Sequence, residues 1–165
     1  MSGIRIIGIG SPFGDDCIGW EAIGAIEESG MMARFPAGQV AAYRCRQPAT
    51  DLLPLLSGAR AALLVDGMES GAEPGTLRRI DASELQADPG KISSHGMGVP
   101  EGLALARALG MLPGTMVIYG VEIEDAGAAP HAAAIVLAAI PALLRAIESD
   151  VRRLLRVQEA GRPAR

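Results

Sequence analysis

The sequence is poor in cysteine and in aromatic side chains. Its 165 residues include two cysteines, one tryptophan, two tyrosines and two phenylalanines, although 49% of the residues are hydrophobic. The core must therefore be built mainly from Ala, Leu, Ile, Val and Met, which suits helices stacked on a sheet. Cys17 and Cys45 form no CxxC pair. Isolated cysteines of an intracellular chain are usually small buried residues, so we assign these two no catalytic role.

The sequence also lacks a basic run and a long uninterrupted apolar run. A formal net charge of −4 without clustered Lys and Arg argues against nucleic acid or an anionic membrane as a partner, because both require a positive patch. The most apolar late segment, residues 132–144, is interrupted by Pro141 and is shorter than the about 20 residues that cross a bilayer. The N-terminus shows no secretory signal. We therefore expect a cytoplasmic protein without a membrane segment.

Strand-like and helix-like segments alternate along the chain. Apolar, β-branched segments predict strands at residues 4–9, 39–45, 61–65, 76–80 and 115–121. Arg78 and Arg79 place the fourth of these at a sheet edge. Periodicity and capping residues predict helices at 18–30, at 51–56 with Thr50 as N-cap, at 100–110, and from Pro130 onward, where Pro141 kinks or divides the helix. Residues 91–98 are predicted to form a loop, and residues 161–165 a disordered tail.

This alternation predicts an α/β fold. We expect one domain, residues 1–160, with three layers in which a mostly parallel sheet lies between helices. In such sheets, ligands bind outside the C-terminal ends of the strands. A functional site is therefore expected in the loops after Ile9, Val65 and Val121.

Two carboxylates and one imidazole are the candidates for chemistry. Of Asp15 and Asp16, which follow the first strand, one carboxylate is expected to cap the next helix while the other stays available. Asp66 ends the third strand, where burial without a partner or a metal would be costly. His95 lies in a polar loop without an evident packing role. Each has a simpler structural interpretation when taken singly, but Asp16, Asp66 and His95 together form an O/O/N ligand set suited to zinc, nickel or manganese.

A nucleotide-binding domain is the main alternative, because residues 8–14 (GIGSPFG) follow a strand and precede a helix. The glycine spacing differs by one residue from the dinucleotide fingerprint, and Asp15 and Asp16 would oppose a pyrophosphate at the helix N-terminus. A Ser-His-Asp hydrolase lacks its GxSxG motif. A non-catalytic assembly chaperone is a further alternative that the residues leave open.

The segments that carry these candidates resemble those of one enzyme family. Residues 8–19 (GIGSPFGDDCIG) resemble the GxGNxxxxDDGxG opening of hydrogenase maturation endopeptidases. Residues 65–67 (VDG) and 71–76 (GAEPGT) are similar to the family's VDA segment and PGT turn. Residues 94–98 (SHGMG) are similar to its SH segment, and residues 119–122 (YGVE) to its last strand. The segments follow the family's order over roughly the first 125 residues.

The resemblance implies a twisted five-stranded sheet between helices and a site in which Asp16, Asp66 and His95 are both catalytic residues and metal ligands. It also implies an endopeptidase that removes the C-terminal extension of a nickel-iron hydrogenase large-subunit precursor after nickel insertion. The nickel would be supplied by the substrate, with zinc or cadmium as surrogates. The partner is then the large-subunit precursor, and the protease is expected to be a monomer.

Two segments depart from the family pattern. Ser11 stands where most relatives have Asn, so any hydrogen bond that the Asn makes in this loop must be replaced or lost. Residues 46–51 (RQPATD) lack the glycine-rich segment of many members. The second departure leaves the substrate subgroup open.

Overall fold

A computed structural model describes residues 3–81, 84, 99–124 and 129–160. The predicted loop at 91–98, which includes His95, and the predicted tail at 161–165 lie outside the described residues. At the centre of the structure is a sheet with the strands β1 (Ile4–Ile9), β2 (Val40–Cys45), β3 (Ala61–Met68), β4 (Leu77–Asp81) and β5 (Thr115–Glu122).

The sheet is five-stranded and mostly parallel, with the strand order β2-β1-β3-β5-β4. Strands β2, β1, β3 and β5 run parallel to one another, and β4 pairs with β5 in the antiparallel direction. The predicted α/β class is therefore confirmed. The edge position of β4 is confirmed as well, and its Arg78 and Arg79 are exposed.

Five helices flank the sheet in the part of the chain that the structure describes: α1 (Ile18–Glu28), α2 (Pro48–Leu56), α3 (Val99–Ala108), α4 (Ala134–Leu137) and α5 (Ile140–Ala160). Short 3-10 turns precede and follow α1, at Gly14–Cys17 and Met31–Arg34. Pro141 is the second residue of α5, so the predicted division of the last helix is confirmed. Proline fits this position because a first-turn N–H has no partner within a helix.

Two predicted helix starts were wrong. Helix α2 begins at Pro48 and not behind Thr50, because the Asp51 carboxylate accepts the backbone N–H of Gln47 at 2.9 Å and so stabilises an earlier start. The final helical region begins at Ala134 and not at Pro130. Ala133 has an extended backbone conformation, and its N–H donates to a side chain from another part of the chain.

Alternating strand residues form a hydrophobic core on each face of the sheet. In β3, Ala61, Leu63 and Val65 pack on the first face with residues of α1, α4 and α5. Ala62 and Leu64 pack on the second face with residues of α2 and α3. Burial on both faces explains why β3 is apolar without a break up to Val65.

Two glycines allow α1 to lie directly on the sheet. A Cβ at Gly19 would be 2.1 Å from the carbonyl oxygen of Ile9 and 2.8 Å from that of Val65. A Cβ at Gly8 would be 2.1 Å from the carbonyl oxygen of Gly19. No side-chain carbon fits at such distances, so these glycines are needed for helix–strand packing. This packing fixes the turn that precedes α1 close to the ends of β1 and β3.

Asp150 attaches α5 to the sheet. It is 7% exposed and accepts hydrogen bonds from the Tyr119 hydroxyl, from Arg79 Nε at 2.8 Å and from Arg153 Nη2 at 2.9 Å. Burial by itself would raise the pKa of this carboxyl, but the hydrogen bonds from Arg79, Tyr119 and Arg153 outweigh burial and lower the pKa to about 2. The charged form of Asp150 therefore stabilises the folded state.

Replacing Gly19 by alanine is expected to destabilise the protein by about 3 kcal/mol or more, because the new Cβ meets backbone atoms that cannot move independently. Urea unfolding measures the effect. The matched control is Gly24→Ala in the same helix, where a Cβ would meet only the Arg44 Nη2 atom at 3.4 Å. This control should be neutral or slightly stabilising, since alanine favours helix more than glycine does. Equal stability of both variants would contradict the packing argument.

The contribution of Asp150 to stability should depend on pH. Its pKa is lower in the folded than in the unfolded state, so the contribution is present above the unfolded pKa of about 4 and is lost as the pH falls towards the folded value of about 2. Urea unfolding should show Asp150→Asn to be about 2 kcal/mol less stable than wild type at pH 7, and the difference should shrink by pH 2. Asp81→Asn, whose side chain is 50% exposed in its pair with Arg79, should change stability by less than about 1 kcal/mol. A pH-independent difference for Asp150→Asn would contradict this assignment.

Candidate active site

The carboxyl ends of β1 and β3 bring two of the three predicted site residues to the same edge of the sheet. Asp16 lies in the 3-10 turn Gly14–Cys17 directly after β1, and this turn contacts β3. Asp66 lies in the C-terminal half of β3. Because β1 and β3 are adjacent and parallel, both carboxylates belong to the edge where ligands of such sheets bind. The position of the third predicted residue, His95, is outside the described residues.

Asp66 is part of a strand that is buried along its whole length. It is 3% exposed, and it lies within β3, which continues to Met68. The predicted strand at 61–65, closed by Asp66, was therefore too short, because β3 continues to Met68. The reason is that Asp66, Gly67 and Met68 remain paired with β5. By the alternation of β3, the Asp66 side chain lies on the face towards α2 and α3.

Cys45, at the end of β2, lies on the same face and responds electrostatically to Asp66. Burial, followed by the negative charges of Asp51 and Asp66, raises the pKa of the Cys45 thiol to about 12. The backbone around it is also fixed, since the Cys45 carbonyl accepts the Gly10 N–H at 3.1 Å and the Trp20 indole N–H at 3.2 Å. The Asp66 carboxylate therefore lies in an ordered and apolar region of the sheet edge.

Asp15 does not cap α1, contrary to the prediction for one member of the Asp15–Asp16 pair. Its carboxylate accepts the backbone N–H of Glu124 at 2.8 Å and that of Ala133 at 2.6 Å. These donors follow Asp15 by 109 and 118 residues, so no local pattern could have identified them. The prediction left open which of the two acids is structural. In the structure Asp15 is buried and holds distant segments, and Asp16 is partly exposed.

Ser11, which stands where the resemblance predicts Asn, makes hydrogen bonds within its loop. Its hydroxyl oxygen accepts the N–H of Phe13 at 3.4 Å, and its own N–H donates to the Asp16 carbonyl at 3.2 Å. Serine thus contributes to the turn that carries Asp16. The loop therefore keeps internal hydrogen bonds with serine in place of the expected asparagine.

Glu122 is a buried carboxylate to which sequence reasoning gave no role. It ends β5, is 3% exposed, and accepts the N–H groups of Ser70 and Gly71 at 2.7 and 2.9 Å. The Gly75 N–H donates to its carbonyl at 2.7 Å. Glu122 therefore fixes the turn between β3 and β4, which includes the PGT segment. The signal that selected Asp66, an acid closing an apolar strand, was also present at Glu122.

The described edge of the sheet supplies two carboxylates, Asp16 and Asp66, as possible oxygen ligands for a metal. Within the described ranges, no three His, Cys, Asp or Glu side chains are placed to hold a metal ion. Asp16 and Asp66 would therefore need a further ligand from outside these ranges, and His95 remains the predicted one. Two carboxylates with one imidazole would leave coordination positions open for a ligand carried by a substrate.

Comparison with known proteins identifies the relatives of this chain. The family model HycI, described as hydrogenase maturation protease, matches residues 47–150. The chain is 36% identical over 81 residues to the hydrogenase expression/formation protein HupD of Rhodobacter capsulatus, and this match covers 46% of the chain and 39% of the relative. It is 28% identical over 134 residues to HupD of Thiocapsa roseopersicina, covering 75% of the chain and 57% of the relative. The matches thus span about half the length of these curated relatives.

Solved structures share the fold. The hydrogenase maturating endopeptidase HybD from E. coli superposes with a TM-score of 0.74 at 22% identity, covering 96% of this chain and 94% of that protein. The nickel-iron hydrogenase maturation protease HybD from Thermococcus kodakarensis superposes with a TM-score of 0.73 at 17% identity, covering 90% and 99%. The predicted five-stranded α/β architecture is that of these proteins. Because the family model covers more than half of the chain, the protein belongs to the hydrogenase maturation protease family.

Proposed function

We propose that this protein is an endopeptidase that removes the C-terminal extension from the large-subunit precursor of a nickel-iron hydrogenase. The observation that carries the proposal is the family match over residues 47–150. The placement of Asp16 and Asp66 at one edge of the sheet supports it, because the two acids come from separate segments of the chain.

The proposed site residues are Asp16, Asp66 and His95, acting on nickel that the precursor carries. Two carboxylates supply negatively charged oxygen ligands for a cation, and the imidazole adds a nitrogen ligand. In this arrangement a precursor without nickel lacks the group that the three side chains bind. The site would thereby couple cleavage to correct metal insertion.

Asp16 is the better candidate for handling the attacking water. It is partly exposed, whereas Asp66 is 3% exposed and lies within the core of the sheet edge. A general base must reach the proton that it removes, and a partly exposed carboxylate has access to water. Asp66 would then act chiefly as a fixed ligand.

The described thiols are poorly suited to act as peptidase nucleophiles. Cys17 and Cys45 are 7% and 0% exposed, and burial is the largest cause that raises the pKa of each thiol. A nucleophilic cysteine needs a lowered pKa and access to its substrate. The proposal therefore assigns cleavage to the acidic edge and not to a cysteine.

The proposed working state is a monomer in the cytoplasm. Among the helices of the described residues, none combines the length and the apolar character that crossing a membrane requires. The formal net charge of −4 opposes attraction to nucleic acid. Zinc and cadmium are the proposed surrogates for nickel at the same three side chains, since both accept oxygen and nitrogen ligands.

The decisive experiment mixes the purified protein with nickel-loaded and nickel-free large-subunit precursors and follows loss of the C-terminal extension by mass spectrometry. We expect cleavage of the loaded precursor alone.

Three single substitutions test the site residues: Asp16→Ala, Asp66→Ala and His95→Ala. Each should abolish cleavage, because each removes a proposed ligand or base. Circular dichroism should show that each variant is folded. Asp81→Ala is the control and should retain full activity, since Asp81 pairs with Val117, far from the carboxyl ends of the parallel strands.

The outcomes separate the candidate functions. Full cleavage by all three variants would overturn the site assignment, and equal cleavage of both precursors would overturn the dependence on nickel. Binding of several loaded precursors without cleavage by the wild-type protein would instead indicate an assembly chaperone.

A further inference from the structure

Asp15 has no part in the proposed chemistry, yet it is the most deeply buried carboxylate that the structure describes near the site. It is 1% exposed and directly precedes Asp16 in the 3-10 turn Gly14–Cys17. Burying a charged carboxylate is unfavourable unless hydrogen bonds stabilise it. The partners of Asp15 therefore indicate what this burial achieves.

The two oxygens of Asp15 accept hydrogen bonds from two different segments. Oδ2 accepts the Glu124 N–H at 2.8 Å, just beyond the end of β5. Oδ1 accepts the Ala133 N–H at 2.6 Å, immediately before α4. Hydrogen bonds from N–H groups to a carboxylate are shorter and stronger than those between neutral groups. One side chain thus joins the turn after β1 to the end of β5 and to the start of α4.

The backbone of Asp16 is held by the segment that follows β1. Its carbonyl accepts the Ser11 N–H at 3.2 Å, and a Cβ at Gly10 would lie 2.1 Å from the same carbonyl oxygen. The turn is therefore confined between β1 and the segments that Asp15 contacts. Under these restraints, the freedom that remains to Asp16 is mainly that of its side chain.

We propose that Asp15 is a positioning residue that holds the Asp16 carboxylate in its working place beside Asp66. This inference rests on the proposed function, in which Asp16 contacts the substrate. Asp15 itself touches no reacting atom, and it acts through the backbone of the turn. A displacement of about 1 Å in a catalytic group can lower the rate on the order of a hundredfold. Hydrogen bonds that fix the backbone next to Asp16 therefore matter for the rate of cleavage.

Glu122 provides a matched control for this role. It is also a buried carboxylate, 3% exposed, that accepts two backbone N–H groups, from Ser70 and Gly71. Its hydrogen bonds hold the turn between β3 and β4 and not the turn that carries Asp16. A general loss of stability should therefore follow from changing either acid, and a loss of Asp16 positioning only from changing Asp15.

The test compares Asp15→Asn and Glu122→Ala with wild type in two measurements. Glu122→Ala removes the acceptor of the Ser70 and Gly71 N–H groups and of the Ser70 hydroxyl, whereas glutamine would keep the Oε1 atom that accepts both N–H groups. The asparagine side chain has one oxygen and one NH2 group, and the NH2 group cannot accept a hydrogen bond. Only one of the two N–H donors, of Glu124 or of Ala133, would therefore keep its acceptor.

In steady-state cleavage of nickel-loaded precursor, Asp15→Asn should lower kcat by about 10- to 100-fold with KM within about twofold of wild type. Glu122→Ala should leave both constants within about twofold. Both variants should melt roughly 3–10 °C lower than wild type, and the assay runs well below either melting temperature.

Amide hydrogen exchange of Ser11, measured by NMR, reports the position of Asp16 without any substrate. Because the Ser11 N–H donates to the Asp16 carbonyl, Asp15→Asn should speed exchange of the Ser11 amide at least about tenfold, beyond the change caused by Glu122→Ala. Unchanged exchange in Asp15→Asn, or an unchanged kcat where wild type cleaves, would overturn the positioning role. If wild type cleaves no precursor, the proposed function fails, and the Ser11 amide still decides whether Asp15 positions Asp16.

Discussion

The close approach of α1 to the sheet is the constraint on which the rest of the structure depends. Gly19 lies against the carbonyl oxygens of Ile9 and Val65, and Gly8 lies against Gly19. This contact leaves no room for side chains between helix and strands. It therefore fixes the distance from the end of β1 to the start of α1, and the turn that spans this distance carries Asp16. A helix seated one side chain further from the sheet would move that turn away from Asp66.

Buried carboxylates have different tasks in this fold, and their hydrogen bonds distinguish them. Asp15 and Glu122 each accept backbone N–H groups and hold loops at the carboxyl end of the sheet. Asp150 accepts hydrogen bonds from arginine and tyrosine side chains and attaches α5 to the sheet. Asp66 lies in the buried strand β3, near its carboxyl end. The hydrogen bonds of Asp15 and Glu122 hold loops at this same end of the sheet.

Local patterns predicted the secondary structure well where continuous hydrophobicity is enough to identify a strand. The apolar runs of β1, β3 and β5 were located because burial on both faces requires continuous hydrophobicity. The start of α2 was misplaced, because Thr50 is a favourable N-cap by type whereas the hydrogen bond from Gln47 to Asp51 forms only in the folded loop. The start of α4 depends on a contact between Ala133 and Asp15 across the whole domain. Such a contact has no local signature.

The sequence by itself determined the α/β class, the edge strand and the choice of Asp16 and Asp66 as candidate residues, since hydrophobic periodicity and acids at strand ends are properties of neighbouring residues. Only the tertiary structure decided that β4 runs antiparallel to β5, that Asp15 joins three segments and that Glu122 holds a turn. These features depend on the spatial arrangement of residues distant in sequence. Their hydrogen bonds form only after the sheet has brought the segments together, because a buried carboxylate is stabilised by whichever N–H groups the fold places beside it.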